Sequence, residues 1–261
     1  MDKNLTYFLE QVKNIFRKDK LERELQEVEA ECLLQPQDFR LKIRLGELYF
    51  KKRDLQKGIT LFREVAEAFI QESFFLKAIA VYKNIIRMAP GSVEFNEKLA
   101  ELYSQLGMQQ DSINQYLIVI HFYQNRNERE KVLETAKKMV QVDPQDVQNR
   151  MRLAEIYYNQ GLQEEALKEY EKIGSELKGQ GGKQLGLLID VLEKIFFRRS
   201  KDKNLLKEIC ILSLKNHKPE TVLKKIEKYK LTEEEDFKKI HEKAREMLEY
   251  DQQKEKDVKP T

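Results

Sequence analysis

Apolar residues return along this chain at helical spacing, and the helices they predict return every 54 residues. From Phe39 to Lys52, from Leu55 to Gln71 and from Phe74 to Met88, apolar positions fall three and four apart, the spacing of a helix with one face turned to a core. These predicted helices, A, B and C, fill one unit. Pro36, Pro90 and Pro144 follow successive C helices, where proline stops a helix because it cannot continue the hydrogen-bond ladder. Leu45-Gly46-Glu47-Leu48-Tyr49 comes back as Leu99-Ala100-Glu101-Leu102-Tyr103 and as Leu153-Ala154-Glu155-Ile156-Tyr157. Gly58 with Phe62 comes back as Ser112 with Tyr116 and Ala166 with Tyr170. Three independent markers in one register define an internal repeat.

The register extends to both ends. Leu5, Phe8, Val12 and Ile15 match a B helix, and Leu21, Leu25, Val28 and Cys32 match a C helix. The chain is therefore expected to open with a helix pair over 1–35, followed by units at 36–90, 91–144 and 145–198. A degenerate unit over 199–250 follows, its helices expected near Leu205–Asn216, Pro219–Tyr229 and Thr232–Tyr250. Thr232 with Glu235 has the spacing of a capping box. The almost wholly polar tail 251–261 is expected to be disordered. That makes a single solenoid over 1–250 with about fourteen helices. Tyr116-Leu117-Ile118-Val119-Ile120-His121-Phe122-Tyr123 is apolar almost all round, which predicts burial on several sides, between an A and a C helix.

Composition narrows the class. Hydrophobic residues make up 41% of the chain and charged residues 36%, with 10 Gly and 5 Pro; this disfavours wholesale disorder and leaves few turn residues for a β-sandwich or barrel. Basic and acidic residues number 48 and 45, a net charge of +3, and they are interleaved, so no nucleic-acid partner is expected. Cys32 and Cys210 lie far apart and lack partners at metal-ligand spacing, which points to free thiols in a reducing compartment. With no signal-like or spanning apolar run, a soluble, cytoplasmic protein is expected, recruited at most to a membrane-associated complex.

Candidate chemistry is sparse. Gly179-Gln180-Gly181-Gly182 falls in register with the other B–C turns and reads as a connector, not a phosphate loop. His121, His217 and His241 lie far apart, with no metal-ligand spacing around them, so no cofactor, metal or catalytic residue is expected. Glu47, Glu101 and Glu155 form a column one unit apart. They are either favourable helix-surface residues or a ligand-facing row, too far apart for paired acid–base work. The first helix joins Leu5, Phe8, Leu9, Val12, Ile15 and Phe16 to Lys13, Arg17, Lys18 and Lys20. Such a helix can lie on an anionic membrane, although its match to the repeat register points instead to packing on the next helix.

Leu45-Gly46-x-x-Tyr49 with Gly58-x-x-x-Phe62, its two later copies, and Ala78, Tyr82 and Pro90 of a C helix resemble the tetratricopeptide repeat. The unit departs from that family in having three helices over 54 residues, and the chain has no Trp. The resemblance implies an all-α, right-handed α-solenoid of antiparallel helices, non-catalytic, serving as a scaffold or adaptor that takes a partner peptide or helix in a concave groove. By analogy of fold, such scaffolds organise bacterial envelope, secretion and flagellar assemblies; a peptide-sensing receptor and a peripheral membrane assembly factor are the alternatives. Carried over by position, the groove would be lined by Arg40, Ile43, Glu47 and Phe50, by Glu94, Lys98, Glu101 and Gln105, and by Met151, Arg152, Glu155, Tyr158 and Asn159. The Lys and Asn with which some members clamp a carboxy-terminal carboxylate are replaced here by Ile43 and Glu47.

Overall fold

The structure is a computed structural model that describes the backbone of residues 3–181, 183–199 and 202–258, with side chains from residue 18 to 254 within those spans. Among these residues there are thirteen helices and no strand. They form two compact units, Met1–Asp143 and Pro144–Thr261.

The N-terminal unit holds α1 (Lys3–Leu34), α2 (Phe39–Lys51), α3 (Leu55–Gln71), α4 (Phe75–Met88), α5 (Glu94–Gln105), α6 (Gln109–Asn125) and α7 (Arg129–Val142). The C-terminal unit holds α8 (Val147–Asn159), α9 (Gln163–Gly179), α10 (Leu185–Arg198), α11 (Lys203–Lys215), α12 (Pro219–Lys228) and α13 (Glu235–Val258). Within each unit, helices pack chiefly on their neighbours in sequence, as short turns between antiparallel elements require. The A helices are α2, α5 and α8. The B helices α3, α6 and α9 begin and end in step, one unit apart.

The turns repeat as closely as the helices. Arg53, Gly107 and Gly161 take φ of 66°, 72° and 84° at the A–B turns, and Ser73, Asn127 and Gly181 take 62°, 55° and 67° at the B–C turns. Beyond each A helix the next amide reaches back to the tyrosine carbonyl, Asp54 to Tyr49 and Met108 to Tyr103 at 2.9 Å, Leu162 to Tyr157 at 3.0 Å. That is the Schellman ending, which satisfies the last carbonyls of a helix. Asp38, Asp54, Asp146 and Asp202 cap the other ends, their carboxylates accepting from amides of the first turn.

Small residues bring A and B together. A methyl on Gly46 would sit 2.5 Å from the Phe62 ring, and one on Gly58 would sit 3.0 Å from Phe50 and 3.1 Å from the Gly46 carbonyl. One unit later, the Ser112 hydroxyl donates to the Ala100 carbonyl at 2.8 Å, and after that Ala154 and Ala166 are both buried. Phe62, Tyr116 and Tyr170 fill the space beside each contact and are buried as the register predicts.

Several expectations are corrected. In place of a helix pair over 1–35, α1 is one helix of 32 residues, which accounts for thirteen helices against the expected fourteen or so. The turn position is held by Asp19, where later units have Ser73, Asn127 and Gly181. A partner surface is also missing. In α4, Tyr82 stacks on Phe95 of α5, which turns the Ile79–Tyr82–Ile86 side to the next A helix and leaves Ala78, Val81 and Ile85 for α3. Those three are buried, as are Val132, Thr135 and Met139 of α7. In α1 the same register positions are Glu24, Glu27 and Glu31. Glu24 is held by Arg44 of α2 at 3.2 Å, and a helix folded back there would press apolar residues onto the exposed Glu27 and Glu31.

At the other end, α13 continues to Val258 through most of the expected tail, because polar residues of high helix propensity extend a helix already anchored by Phe237, Ile240 and Ala244. It starts at Glu235, capped by the Glu234 carbonyl, which accepts from the Phe237 and Lys238 amides at 2.9 Å; Thr232 therefore lies too early for the expected capping box. In α6, Tyr116, Val119 and Ile120 are buried, but Ile118 is 49% exposed. Helices α5 and α7 cover only part of its circumference.

Candidate functional site

The A helices present their predicted groove residues unevenly. Phe50 is a core residue: only 8% exposed, its ring meets Phe62 edge-on at 5.6 Å and closes over Gly58. The two glycines leave a void that only a large ring fills, so Phe50, contrary to expectation, is not open to a partner. Ile43 packs half-buried against the same core, and Met151 packs in the same way in the C-terminal unit. Arg40 is exposed beside Phe39, Phe69 and Lys77, around a cavity of about 570 Å³ at the start of α2. Glu47 is half-buried, and Gln105, Arg152 and Asn159 are exposed.

The acids of the row are largely neutralised within the chain. Glu94 pairs with Arg63 at 3.0 Å, and Arg63 lies over the Phe95 ring. Lys98 bonds Glu101 at 3.0 Å on the same helix. Across the unit, the Lys138 ammonium is held above its ordinary range by its hydrogen bond to Glu134, against the opposing effect of burial, with Glu97 and Glu101 adding to the rise. One unit on, Glu155 of α8 bonds Lys194 of α10 at 2.7 Å. Of the glutamate column, Glu101 is thus paired within its own helix and Glu155 ties α8 to α10, each exposed pair contributing up to about 1 kcal/mol.

In the C-terminal unit, A and C helices build one polar–aromatic face. Tyr158 of α8 is 42% exposed, and the Arg198 guanidinium of α10 stands 4.2 Å from its ring centre and 4.9 Å from that of Tyr170 on α9. Arg198 donates to the Lys194 carbonyl at 2.9 Å. Glu155 and Tyr158 are therefore brought together with Lys194 and Arg198, which the sequence reading had not singled out. Their signal was faint, because α10 begins at Leu185, two positions later than the repeat places it. The Tyr170 hydroxyl, in the floor of this face, is buried without a protein hydrogen-bond partner; burial first, and then Glu155 against the opposing Arg198, pushes its phenol up to about 12.

A second polar column went unread. Lys42 pairs with Glu64, Asn96 bonds Gln115 at 2.9 Å, and Arg150 bonds Glu169 at 2.7 Å and Glu176 at 2.5 Å. All three donors sit in register on A helices and reach B helices. Arg150, 4% exposed, is the most enclosed of these pins. Its interleaving with ordinary surface charges concealed it.

Among the described residues, no group of three His, Cys, Asp or Glu side chains is gathered as a metal site would require, and no helix is long and apolar enough to cross a membrane.

No protein-family model matches the chain, and no curated protein does. Solved structures do match it. The kinesin light chain tetratricopeptide-like repeats of Podosopora anserina align at 13% identity over 70% of this chain and 98% of that one, with a TM-score of 0.41. RapI in its apo form aligns at 14% over 82% and 84%, TM-score 0.37. The C-terminal part of a TPR repeat-containing protein from Cytophaga hutchinsonii aligns at 12% over 78% and 93%, TM-score 0.33. On its own helices, turns and 54-residue register, the chain is all-α, its helices stacked on their sequence neighbours in a repeat that resembles the tetratricopeptide repeat.

Proposed function

We propose that this chain is a non-catalytic scaffold or adaptor that holds a protein segment against the face shared by α8 and α10. The observation that carries the reading is the exposed Tyr158 ring, stacked by the half-buried Arg198 over a floor made by Tyr170. Tyr and Arg, with Trp, are enriched among the side chains that dominate protein interfaces, Tyr for its rigid ring with a polar handle and Arg for its planar, pre-organised fork. Since Glu155 is already paired with Lys194, aromatic and apolar contact leads recognition here, and net charge contributes little. A reducing compartment suits the two free thiols, Cys32 and Cys210.

The test is site-specific photocrosslinking in the cells of origin. A benzophenone amino acid in place of Tyr158 is expected to trap a discrete partner. The same group in place of Lys172, on the exposed side of α9, is expected to trap none, and Arg198→Glu should remove the Tyr158 adduct. Equal crosslinking at both positions, or none at position 158, would rule out this face as the docking surface.

A further inference from the structure

The straight course of α1 has a second consequence. Its later portion is accounted for: Leu21, Leu25, Val28 and Cys32 pack against Leu45, Leu48 and Tyr49 of α2 and against Leu61. At 1.5 Å per residue, α2 with 13 residues reaches about 20 Å, and α1 with 32 residues reaches about 48 Å. The first half of α1 therefore runs on past α2, and among the described residues α2 is the helix on which α1 packs. In the repeats, the corresponding B helix lies between two neighbours. Here the reversal at position 19 is absent, and the face that would receive such a helix carries exposed Glu27 and Glu31 beside Glu24.

The sequence of that first half has two chemical components. Leu5, Leu9, Val12 and Phe16 recur at helical spacing, with Phe8 and Ile15 flanking them. Its charges are mainly basic, Lys3, Lys13, Arg17, Lys18 and Lys20 against Glu10 and Asp19. A second copy of the same segment would cover the apolar side but place like charges together. The acidic second half of α1 would match the charge but offers no apolar cover. A bilayer with anionic headgroups supplies both, acyl chains for the stripe and phosphates for the lysines. The acidic run from Glu22 to Glu31 is repelled by the same surface and marks where the seat ends.

We propose that the first half of α1, from Lys3 to Lys20, is a membrane-surface helix that binds anionic lipid headgroups. It is independent of the α8–α10 docking face.

Vesicle co-sedimentation of the full chain tests it. Wild type is expected to pellet with phosphatidylcholine vesicles containing about a third phosphatidylglycerol and to stay in solution with phosphatidylcholine alone. Lys13→Gln with Arg17→Gln and Lys18→Gln should weaken binding on the order of a hundredfold, about fivefold for each charge. Leu9→Glu with Val12→Glu should abolish it, and the melting of the repeats should not move in either variant. Three outcomes overturn the proposal. One is no pelleting with the anionic vesicles, and another is equal pelleting with both kinds. The third is a dimer in sedimentation velocity that fails to pellet and that Leu9→Glu with Val12→Glu converts to monomer, which would make a second copy the occupant.

Discussion

At the scale of single residues, packing at the A–B contact sets the tolerances. A Cβ at position 46 would lie 2.5 Å from Phe62, so Gly46→Ala is expected to destabilise by about 1–3 kcal/mol despite its gain in helix propensity; a chemical denaturation series reads the difference. Tyr170 makes the opposite case. Its buried hydroxyl has no protein partner, so Tyr170→Phe removes a polar group whose desolvation is not compensated, and stability should stay within about 1 kcal/mol or rise. The same residue makes the alkaline limb. Its phenol is near 12 in the folded chain against roughly 10 when unfolded. The folded state therefore holds that proton more tightly, and the stabilisation is complete below pH 10 and lost as pH climbs toward 12. Tyr49, raised to about 12 by burial and by its bond to Glu29, acts in the same direction. Tyr170→Phe should flatten the fall in melting temperature across that window; an unchanged slope would assign it to other groups.

At the scale of elements, the turns carry strain that the helices tolerate. Arg53 occupies the left-handed conformation, φ 66°, where its register partners are Gly107 and Gly161. Arg53→Gly should therefore stabilise by about 1 kcal/mol, measured as a shift of the denaturation midpoint at constant slope. The continuity of α1 is directly measurable. Spin labels at positions 4 and 30, on one helix, should lie about 39 Å apart, whereas a hairpin turning at Asp19 would bring them within about 20 Å. The B-helix boundaries were legible from periodicity alone because apolar spacing and punctuation by Asp, Pro and Gly are local signals. The helix pair expected at the start does not form. Its apolar positions match the repeat, but whether a hairpin closes depends on the opposite face, where exposed Glu27 and Glu31 stand in for Val81 and Ile85.

At the scale of the whole molecule, two units built by nearest-neighbour stacking should respond locally to damage, since repeat stability is close to a sum of units and interfaces. Arg150→Ala leaves Glu169 and Glu176 without their shared cation and should cost about 3 kcal/mol; Phe62→Ala should cost about 3–5 kcal/mol. Hydrogen exchange is expected to rise first across α8 to α10 in the former and across α2 to α5 in the latter. A uniform rise over all the helices in both would show one cooperative block.

By itself the sequence determined the helical class, the repeat, its period and the aromatic and small residues of the A–B contacts, because each of these is written in spacing along the chain. Tertiary structure alone decided that Phe50 is core while Tyr158 is surface, that Glu155 is tied to Lys194, that Arg150 is a buried pin, and that α1 does not fold back. Those outcomes depend on what stands opposite a side chain across a helix interface. Residues distant along the chain supply that surface, and it changes from one unit to the next even where the register does not.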